Sequence, residues 1–362
     1  MASELPQMLL EEILCRVPAT SLKRLRSTCK EWNRLINDKK FSRMQLDKAT
    51  KQLPVFMLQK RFKVCLLSVN LHSEIPTVEV TGEVSLIEHS TTSIKYKIEQ
   101  VFHCDGLLLC TTRQDSRIVI WNPCTGQTRW IRIPKNCCPH FALGYSQASK
   151  SYKILSYQGW DRYNDDQGFA IYDISSSSWK KLHVTPIPNY DLTRCCYATS
   201  LKGKTYWFAF DKKEEQTGLL SFDYTRERFE RLLCLPYQCD PYEDLFLYLS
   251  PVKNEKLLVL LRRQNTSREE IWISNKIDDD EAEEMSWNKI LDSGYHHWPR
   301  SFLVHEEKKI LVSCHRSTFN GRRAIVSVVW EDDKTTQVKT TLTPSYEPFF
   351  VDYVPSLIQF GL

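Results

Sequence analysis

The sequence has little glycine and proline, no long apolar run and almost no excess of one charge. Its 11 glycines and 16 prolines among 362 residues exclude a collagen-like or linker-like chain. The most apolar stretch, Leu245–Val252, is far shorter than the ~20 residues that a membrane helix requires. A net charge of +5 is too weak to indicate nucleic acid as the main partner. A globular protein with 42% apolar residues is therefore expected.

The N-terminal residues and the cysteines predict a reducing compartment. Met1–Gln7 lacks the basic and then apolar regions of a secretory signal. The 13 cysteines are odd in number, form no Cys-x-x-Cys pair and lie mostly in apolar runs, as Cys65, Cys104 and Cys110 do. Such residues are typical of buried, reduced thiols. We expect a protein of the cytoplasm or nucleus, or both, that is not bound to a membrane.

The motifs of common enzymes are also missing. The sequence contains no Gly-x-Ser-x-Gly, His-Glu-x-x-His or Gly-x-Gly-x-x-Gly. Gly203-Lys204-Thr205 is similar to the end of a phosphate-binding loop, but Ala198 stands where the first glycine is needed, so a tight hairpin turn is expected. Cys137-Cys138-Pro139-His140, Cys195-Cys196 and His296-His297 place ligand types next to each other, whereas zinc sites prefer gaps of two to four residues. No catalytic residue, metal or cofactor is predicted.

Residues 1–48 have the spacing of amphipathic helices. Leu9, Leu10, Ile13, Leu14 and Val17 share one helical face before Pro18, and a second set recurs from Leu22 through Leu25, Cys29 and Trp32 to Ile36. About three helices are predicted. Because so small a unit buries little of its own surface, another protein is expected to complete its apolar face. The alternative is a self-contained helical cap on the rest of the chain.

Residues 54–360 have the spacing of short β-strands separated by turns. A strand-turn-strand pattern recurs with closing aromatics at Trp130, Trp179, Phe229 and Trp287, which lie 49, 50 and 58 residues apart. A period near 50 with four strands per unit is typical of kelch-like β-propeller blades, because a blade buries both faces only between neighbours. Six units are predicted, at 54–90, 98–135, 139–187, 194–236, 244–292 and 299–343. A pair of β-sandwiches is the alternative.

Two families resemble these regions. The stretch Leu5-Pro6-Gln-Met-Leu-Leu-Glu-Glu-Ile-Leu-Cys-Arg-Val-Pro18, followed by Ser21-Leu-Lys-Arg-Leu-Arg-Ser-Thr-Cys-Lys-Glu-Trp32, resembles the F-box. It departs from the family at Met8, where aspartate is common. Residues 98–360 resemble the F-box-associated domain of plant F-box proteins through Cys104-Asp-Gly-Leu-Leu-Leu-Cys110, Ile120-Trp-Asn-Pro-Cys-Thr-Gly126 and Tyr353-Val-Pro-Ser-Leu357.

The resemblance implies a non-catalytic, substrate-recognition subunit of an SCF (cullin–RING) ubiquitin ligase. Its F-box domain, residues 1–48, would bind a Skp-type adaptor and, through it, the cullin and RING subunits. Its domain of residues 54–360 would present a protein target for ubiquitination. The residues that the resemblance marks for adaptor binding are Leu5, Pro6, Leu9, Ile13, Leu14, Val17, Pro18, Leu22, Leu25 and Trp32.

Target-binding candidates come from composition, since aromatic residues beside arginine are favoured at interfaces. They are Trp160, Arg162, Tyr163, Tyr242, His297, Trp298 and Arg300. Packing at blade edges would equally explain them. Two other functions remain open: a glycan-binding or redox propeller with a helical appendage, and an F-box scaffold that acts outside the ligase.

Overall fold

The structure is a computed structural model, which describes only some of the residues of the chain. These are 6–49, 55–60, 63–70, 77–88, 94–95, 98–112, 116–134, 140–157, 169–182, 190–191, 198–230, 232–236, 245–252, 255–263, 269–277, 285–293, 301–306, 309–316, 324–330, 334–339 and 350–360.

The N-terminal region contains four described helices where about three were predicted. They are α1 (Gln7–Leu14), α2 (Ala19–Leu25), α3 (Lys30–Ile36) and α4 (Lys39–Ala49). The predicted second helix breaks between α2 and α3, because the hydroxyls of Ser27 and Thr28 donate back to the carbonyls of Arg24 and Leu25 at 2.9 and 2.6 Å. Cys29 then caps α3 by accepting the Trp32 N–H at 3.4 Å.

The rest of the described chain is built of antiparallel sheets. The first half contains β1 (Val55–Lys60), β2 (Lys63–Asn70), β3 (Thr77–Ser85), β4 (Ile87–Glu88), β5 (Ile94–Lys95), β6 (Ile98–Cys104), β7 (Leu107–Thr112), β8 (Arg117–Trp121), β9 (Thr128–Arg132), β10 (His140–Ser146), β11 (Ser151–Tyr157), β12 (Phe169–Asp173) and β13 (Ser178–Leu182). The second half contains β14 (Tyr190–Asp191), β15 (Thr199–Leu201), β16 (Lys204–Asp211), β17 (Gln216–Asp223), β18 (Arg228–Phe229), β19 (Leu233–Cys234), β20 (Leu245–Val252), β21 (Lys256–Arg263), β22 (Glu269–Ser274), β23 (Trp287–Ser293), β24 (Ser301–His305), β25 (Ile310–Arg316), β26 (Ala324–Trp330), β27 (Lys334–Lys339) and β28 (Phe350–Tyr353).

Within the described residues these strands form six sheets of four or more strands and one small hairpin. Sheet 1 is β28-β1-β2-β3, sheet 2 is β6–β9, sheet 3 is β10–β13, sheet 4 is β14–β19, sheet 5 is β20–β23, sheet 6 is β24–β27, and β4 pairs with β5 alone. Four predicted units each correspond to one sheet, and the unit 194–236 contains sheet 4 except for β14, which lies before it. The unit 54–90 provides three strands of sheet 1, and β28 supplies the fourth, with Phe56 opposite Asp352.

Apolar layers between successive sheets hold them together. Leu109 and Ile120 of sheet 2 pack with Leu143 and Ile154 of sheet 3, and the pattern continues between sheets 3 and 4, 4 and 5, and 5 and 6. Sheets 1 and 2 share a layer that includes Trp121. This arrangement confirms the predicted class, mainly β with a kelch-like propeller, and not a pair of sandwiches.

The repeated closing aromatics join neighbouring sheets at their outer strands. The indole N–H of Trp179 donates to the Arg132 carbonyl of sheet 2 at 3.0 Å, and that of Trp287 donates to the Cys234 carbonyl of sheet 4 at 3.0 Å. Each indole N–H therefore has its acceptor on the preceding sheet, while the half-buried ring packs in the layer between the two sheets.

The strand directions give the propeller two rims. In sheets 2–6 the first strand turns into the second, and the third into the fourth, at one rim, for example at Asp105-Gly106 and at 122–127. We call this the proximal rim, because α4 packs against it. The ends at which second strands lead into third strands, and fourth strands into the next sheet, form the distal rim.

Candidate functional site

Helix α1 presents an apolar surface to solvent. The large apolar side chains that stand out as exposed in the described part of the chain are Met8, Leu9 and Ile13, at 79%, 48% and 52% exposure. Leu9 and Ile13 are four residues apart and so lie on one face of the helix. The predicted unpartnered apolar face is thus present on the protein's surface.

Beneath α1 lies the core of the helical region. Leu14, Leu22, Ile36 and Phe41 are buried in a cluster that also includes Cys124 and Leu357 from the propeller region. The propeller therefore covers part of the core of the helical region, as the helical-cap alternative predicted, but it leaves the outer face of α1 exposed.

Burial divides the predicted adaptor-binding residues. Leu9, Ile13, Pro6 and Pro18 are exposed; Val17, Leu25 and Trp32 are half-buried; Leu14 and Leu22 are buried; and Leu5 lies outside the described residues. The buried leucines can support an interface only indirectly, because they hold the helices in place. The exposed residues are available for direct contact with a partner.

An ion-pair network holds α1 against α4. Glu12 accepts from Arg16 at 2.7 Å and from Lys48 at 2.6 Å. These bonds, with the one from Lys48 the stronger, lower the pKa of Glu12 from 4.5 to about 2. The Lys48 bond therefore links α1 to α4 on the surface of the helical region.

A second ion pair joins α4 to the proximal rim. Arg43 Nη1 lies 2.6 Å from Asp105 Oδ2 and 3.3 Å from the Tyr152 hydroxyl, which donates to the same carboxylate at 2.9 Å. The guanidinium also stacks over the Tyr145 ring at 4.4 Å. Burial and the Asp105 charge raise the pKa of Tyr152 well above its ordinary value, so the phenol remains a donor.

The segment after β28, residues 354–360, forms a strap between the helices and the propeller. Asn122 Nδ2 donates to the carbonyls of Ser356 and Ile358 at 3.1 and 2.9 Å. From the strap, Gln359 donates to Asn37 of the helical region at 2.7 Å. Leu357 packs in the F-box core, while Ile358 packs with Leu46 in the layer between sheets 2 and 3. The position of the F-box is thus fixed by the propeller.

The seven target-binding candidates, Trp160, Arg162, Tyr163, Tyr242, His297, Trp298 and Arg300, lie outside the described residues. The strand ends that flank them are described. Tyr157 and Phe169, Leu235 and Leu245, and Ser293 and Ser301 all lie at the distal rim, opposite the helices.

Sequence reasoning did not single out the residues of the junction. Asp105 and Asn122 are part of the quoted F-box-associated motifs, but nothing in the spacing marks them as partners of Arg43 or of the strap.

The chemistry of this site is that of protein contact. In the described part of the chain no group of three His, Cys, Asp or Glu residues is placed to hold a metal ion. No described helix is long and apolar enough to cross a membrane.

Comparisons with known proteins agree with this architecture. The family described as "F-box domain" matches residues 2–44, and the family described as "F-box associated beta propeller domain" matches residues 54–360. The chain therefore belongs to the plant F-box proteins that carry a C-terminal F-box-associated β-propeller domain.

Individual relatives support this assignment. The chain is 48% identical to the Probable F-box protein At5g47300 of Arabidopsis thaliana, over 99% of this chain and 87% of that protein. It is 42% identical to the F-box/kelch-repeat protein At3g44120 of the same plant, over 99% and 97% of the two chains. Among solved structures, a chain of a nidogen/laminin complex matches 82% of this chain and 98% of its own, at 14% identity and a TM-score of 0.48.

Proposed function

We propose that this protein is the substrate-recognition subunit of an SCF ubiquitin ligase in the cytoplasm or nucleus, or both, and that it carries out no catalysis itself. Residues 1–48 bind a Skp-type adaptor, which links the chain to the cullin and RING subunits. Residues 54–360 hold the protein to be ubiquitinated. The observation that carries the proposal is the exposed apolar face of α1 in a chain that belongs to the F-box family.

The exposed face has the composition of a binding anchor. Leu9 and Ile13 form an apolar pair on a helix that Leu14 anchors in the helical core, so little order has to be gained on binding. Truncation of a central apolar anchor typically costs about 2 kcal/mol or more of binding free energy, which is about 30-fold in Kd.

Co-purification with a Skp-type adaptor tests this step. We expect Leu9→Ala and Ile13→Ala each to weaken binding by about 30-fold. Gln7→Ala, an exposed polar residue of the same helix, is the matched control and should bind normally. Binding that survives the double variant Leu9→Ala/Ile13→Ala would overturn this assignment. Pull-down of a cullin with the same chain distinguishes the ligase from a scaffold that acts outside it.

We propose that the target binds at the distal rim. The flanking strand ends of all three candidate segments lie there, whereas α4 and the strap cover the proximal rim at sheets 2 and 3. A target at the distal rim would leave α1 free for the adaptor. The triple variant Trp160→Ala/Arg162→Ala/Tyr163→Ala should lose target proteins in proximity labelling while it retains the adaptor. An unchanged set of labelled proteins for this variant and for His297→Ala/Trp298→Ala/Arg300→Ala would contradict this location.

A further inference from the structure

A cleft at the junction of the F-box and the propeller is lined by cationic and hydroxyl side chains. Its volume is about 230 Å³, and it lies between the first half of α4, the β10–β11 and β12–β13 turns of sheet 3, and the strap. Lys39, Arg43 and Lys150 line it together with serines that include Ser149 and Ser177, and its lining residues include no aspartate or glutamate. None of its lining residues belongs to α1, which instead shares a separate pocket with Lys40, Phe41 and Met44 of α4.

Two of the three cations in the cleft are not balanced by a carboxylate. The charge of Arg43 is matched by Asp105 at 2.6 Å. Lys39 and Lys150 are exposed, and within the described part of the chain neither forms an ion pair. One belongs to the F-box and the other to the propeller, so an anion bound between them would contact both parts.

Serine hydroxyls complete a set of donors. Ser177 Oγ accepts from Arg129 Nη2 at 2.7 Å, which leaves its own O–H free to donate. Ser149, whose backbone N–H donates to Ser146 Oγ at 3.3 Å, presents an exposed hydroxyl at the same cleft. Ammonium groups and hydroxyls that line one cleft without a carboxylate are suited to a compact oxyanion, because charge-assisted hydrogen bonds to such a group are short and strong.

The volume of the cleft limits the size of the ligand. Pockets for drug-sized molecules have volumes of about 300–1,000 Å³. A cleft of about 230 Å³ is therefore suited to one small anionic group with little attached to it. A dianion would balance both lysines at once.

We propose that this junction cleft binds a phosphate monoester or inorganic phosphate, held by Lys39 and Lys150 with the hydroxyls of Ser149 and Ser177. The anion bridges α4 and sheet 3 and strengthens the attachment of the F-box to the propeller. The site does not require adaptor binding, so it stands or fails separately from the proposed ligase function.

Thermal unfolding of the full chain tests the site. Inorganic phosphate and O-phosphoserine are titrated separately at low millimolar concentration, with chloride added to keep the ionic strength constant. We expect Tm to rise and then saturate, as a ligand that binds the folded state requires. If inorganic phosphate saturates the rise in Tm, the free ion is the ligand. If only O-phosphoserine does so, the ligand is a phosphorylated side chain.

Three variants separate this site from general salt effects. Lys39→Gln/Lys150→Gln should weaken the response by at least about tenfold in apparent Kd, because each lysine loses a charge-assisted bond. Lys40→Gln, on the same helix but outside the cleft lining, is the matched control and should respond normally. Lys150→Glu should place a carboxylate near Lys39, raise Tm in phosphate-free buffer and remove the response. A Tm gain that does not saturate, or one that persists in Lys39→Gln/Lys150→Gln, overturns the proposal.

Discussion

At the scale of single residues, the Asp105-Gly106 turn is where the propeller meets the strap. Both residues have left-handed backbone angles, with φ of 53° and 74°, as a two-residue hairpin turn requires. A Cβ on Gly106 would lie 2.6 Å from the Val354 carbonyl oxygen. We expect Gly106→Ala to lower the free energy of unfolding by about 3 kcal/mol, from backbone strain and from overpacking together.

Gly126→Ala is the matched control in urea unfolding. Gly126 also has a positive φ, 83°, but a Cβ there would meet nothing within 4 Å. Gly126→Ala should therefore lower the free energy of unfolding by about 1 kcal/mol, from backbone strain alone. Equal losses for the two variants would show that the strap does not pack against the turn.

His103 makes the stability depend on pH. Its Nε2 accepts the Gly106 N–H at 3.2 Å, and burial lowers its pKa from 6.5 to about 4, against the opposing charge of Asp105. The unfolded chain therefore binds a proton more readily than the folded chain between pH 6.5 and 4. Stability from this group is complete above pH 6.5 and falls by up to about 3 kcal/mol as the pH drops to 4.

The variant His103→Gln tests this dependence, because its amide oxygen still accepts a hydrogen bond but does not titrate. Urea unfolding at pH 7.0 and at pH 4.5 should show a smaller difference for His103→Gln than for the natural chain. His140→Gln, at a less buried histidine, is the control. The same difference in all three chains would exclude His103 as the source.

At the scale of elements, turns were more predictable than contacts between distant segments. The hairpin turn expected at Gly203 is confirmed, with φ of 49° at Lys202 and 75° at Gly203, because a local glycine pattern determines it. The break between α2 and α3 was missed, since the apolar spacing runs on through Ser27 and Thr28. The contacts of Arg43 could not be predicted from local sequence patterns, because 62 and 109 residues separate Arg43 from Asp105 and Tyr152.

The strap is the element on which the position of the F-box most depends. Asn122 is fully buried, donates twice to the strap, and accepts the N–H groups of Cys124 and Thr125 at 2.9 and 3.1 Å. Asn122→Ala should therefore lower the free energy of unfolding by about 3 kcal/mol, because the buried groups lose their partners.

Gln127→Ala is the comparison for the strap. Gln127 is half-buried and makes one bond to the strap, to the Phe360 carbonyl at 3.0 Å, so about 1 kcal/mol is expected in the same urea unfolding measurement. A loss from Asn122→Ala no larger than that from Gln127→Ala would show that the strap is dispensable.

At the scale of the whole molecule, the strap and the Arg43–Asp105 pair make the F-box and the propeller one body. In the proposed ligase receptor, a fixed attachment would set the distance from the adaptor to a target at the proposed distal-rim site. Removing Arg43 leaves Asp105, 5% exposed, without its counter-charge, and breaking such a buried pair costs about 3–5 kcal/mol. Detachment of α4 would relieve that cost by letting water reach the carboxylate.

Hydrogen exchange measured by mass spectrometry tests this single-body behaviour. In the natural chain, amides of α4 should exchange as slowly as those of β10, through opening of the whole unit. In Arg43→Ala, α4 should exchange at least about tenfold faster while β16 and β17 are unchanged, because the attachment fails before the ring opens. Lys40→Ala, an exposed position on the same helix, should leave both rates unaltered. Fast exchange of α4 already in the natural chain would mean that the F-box moves independently of the propeller.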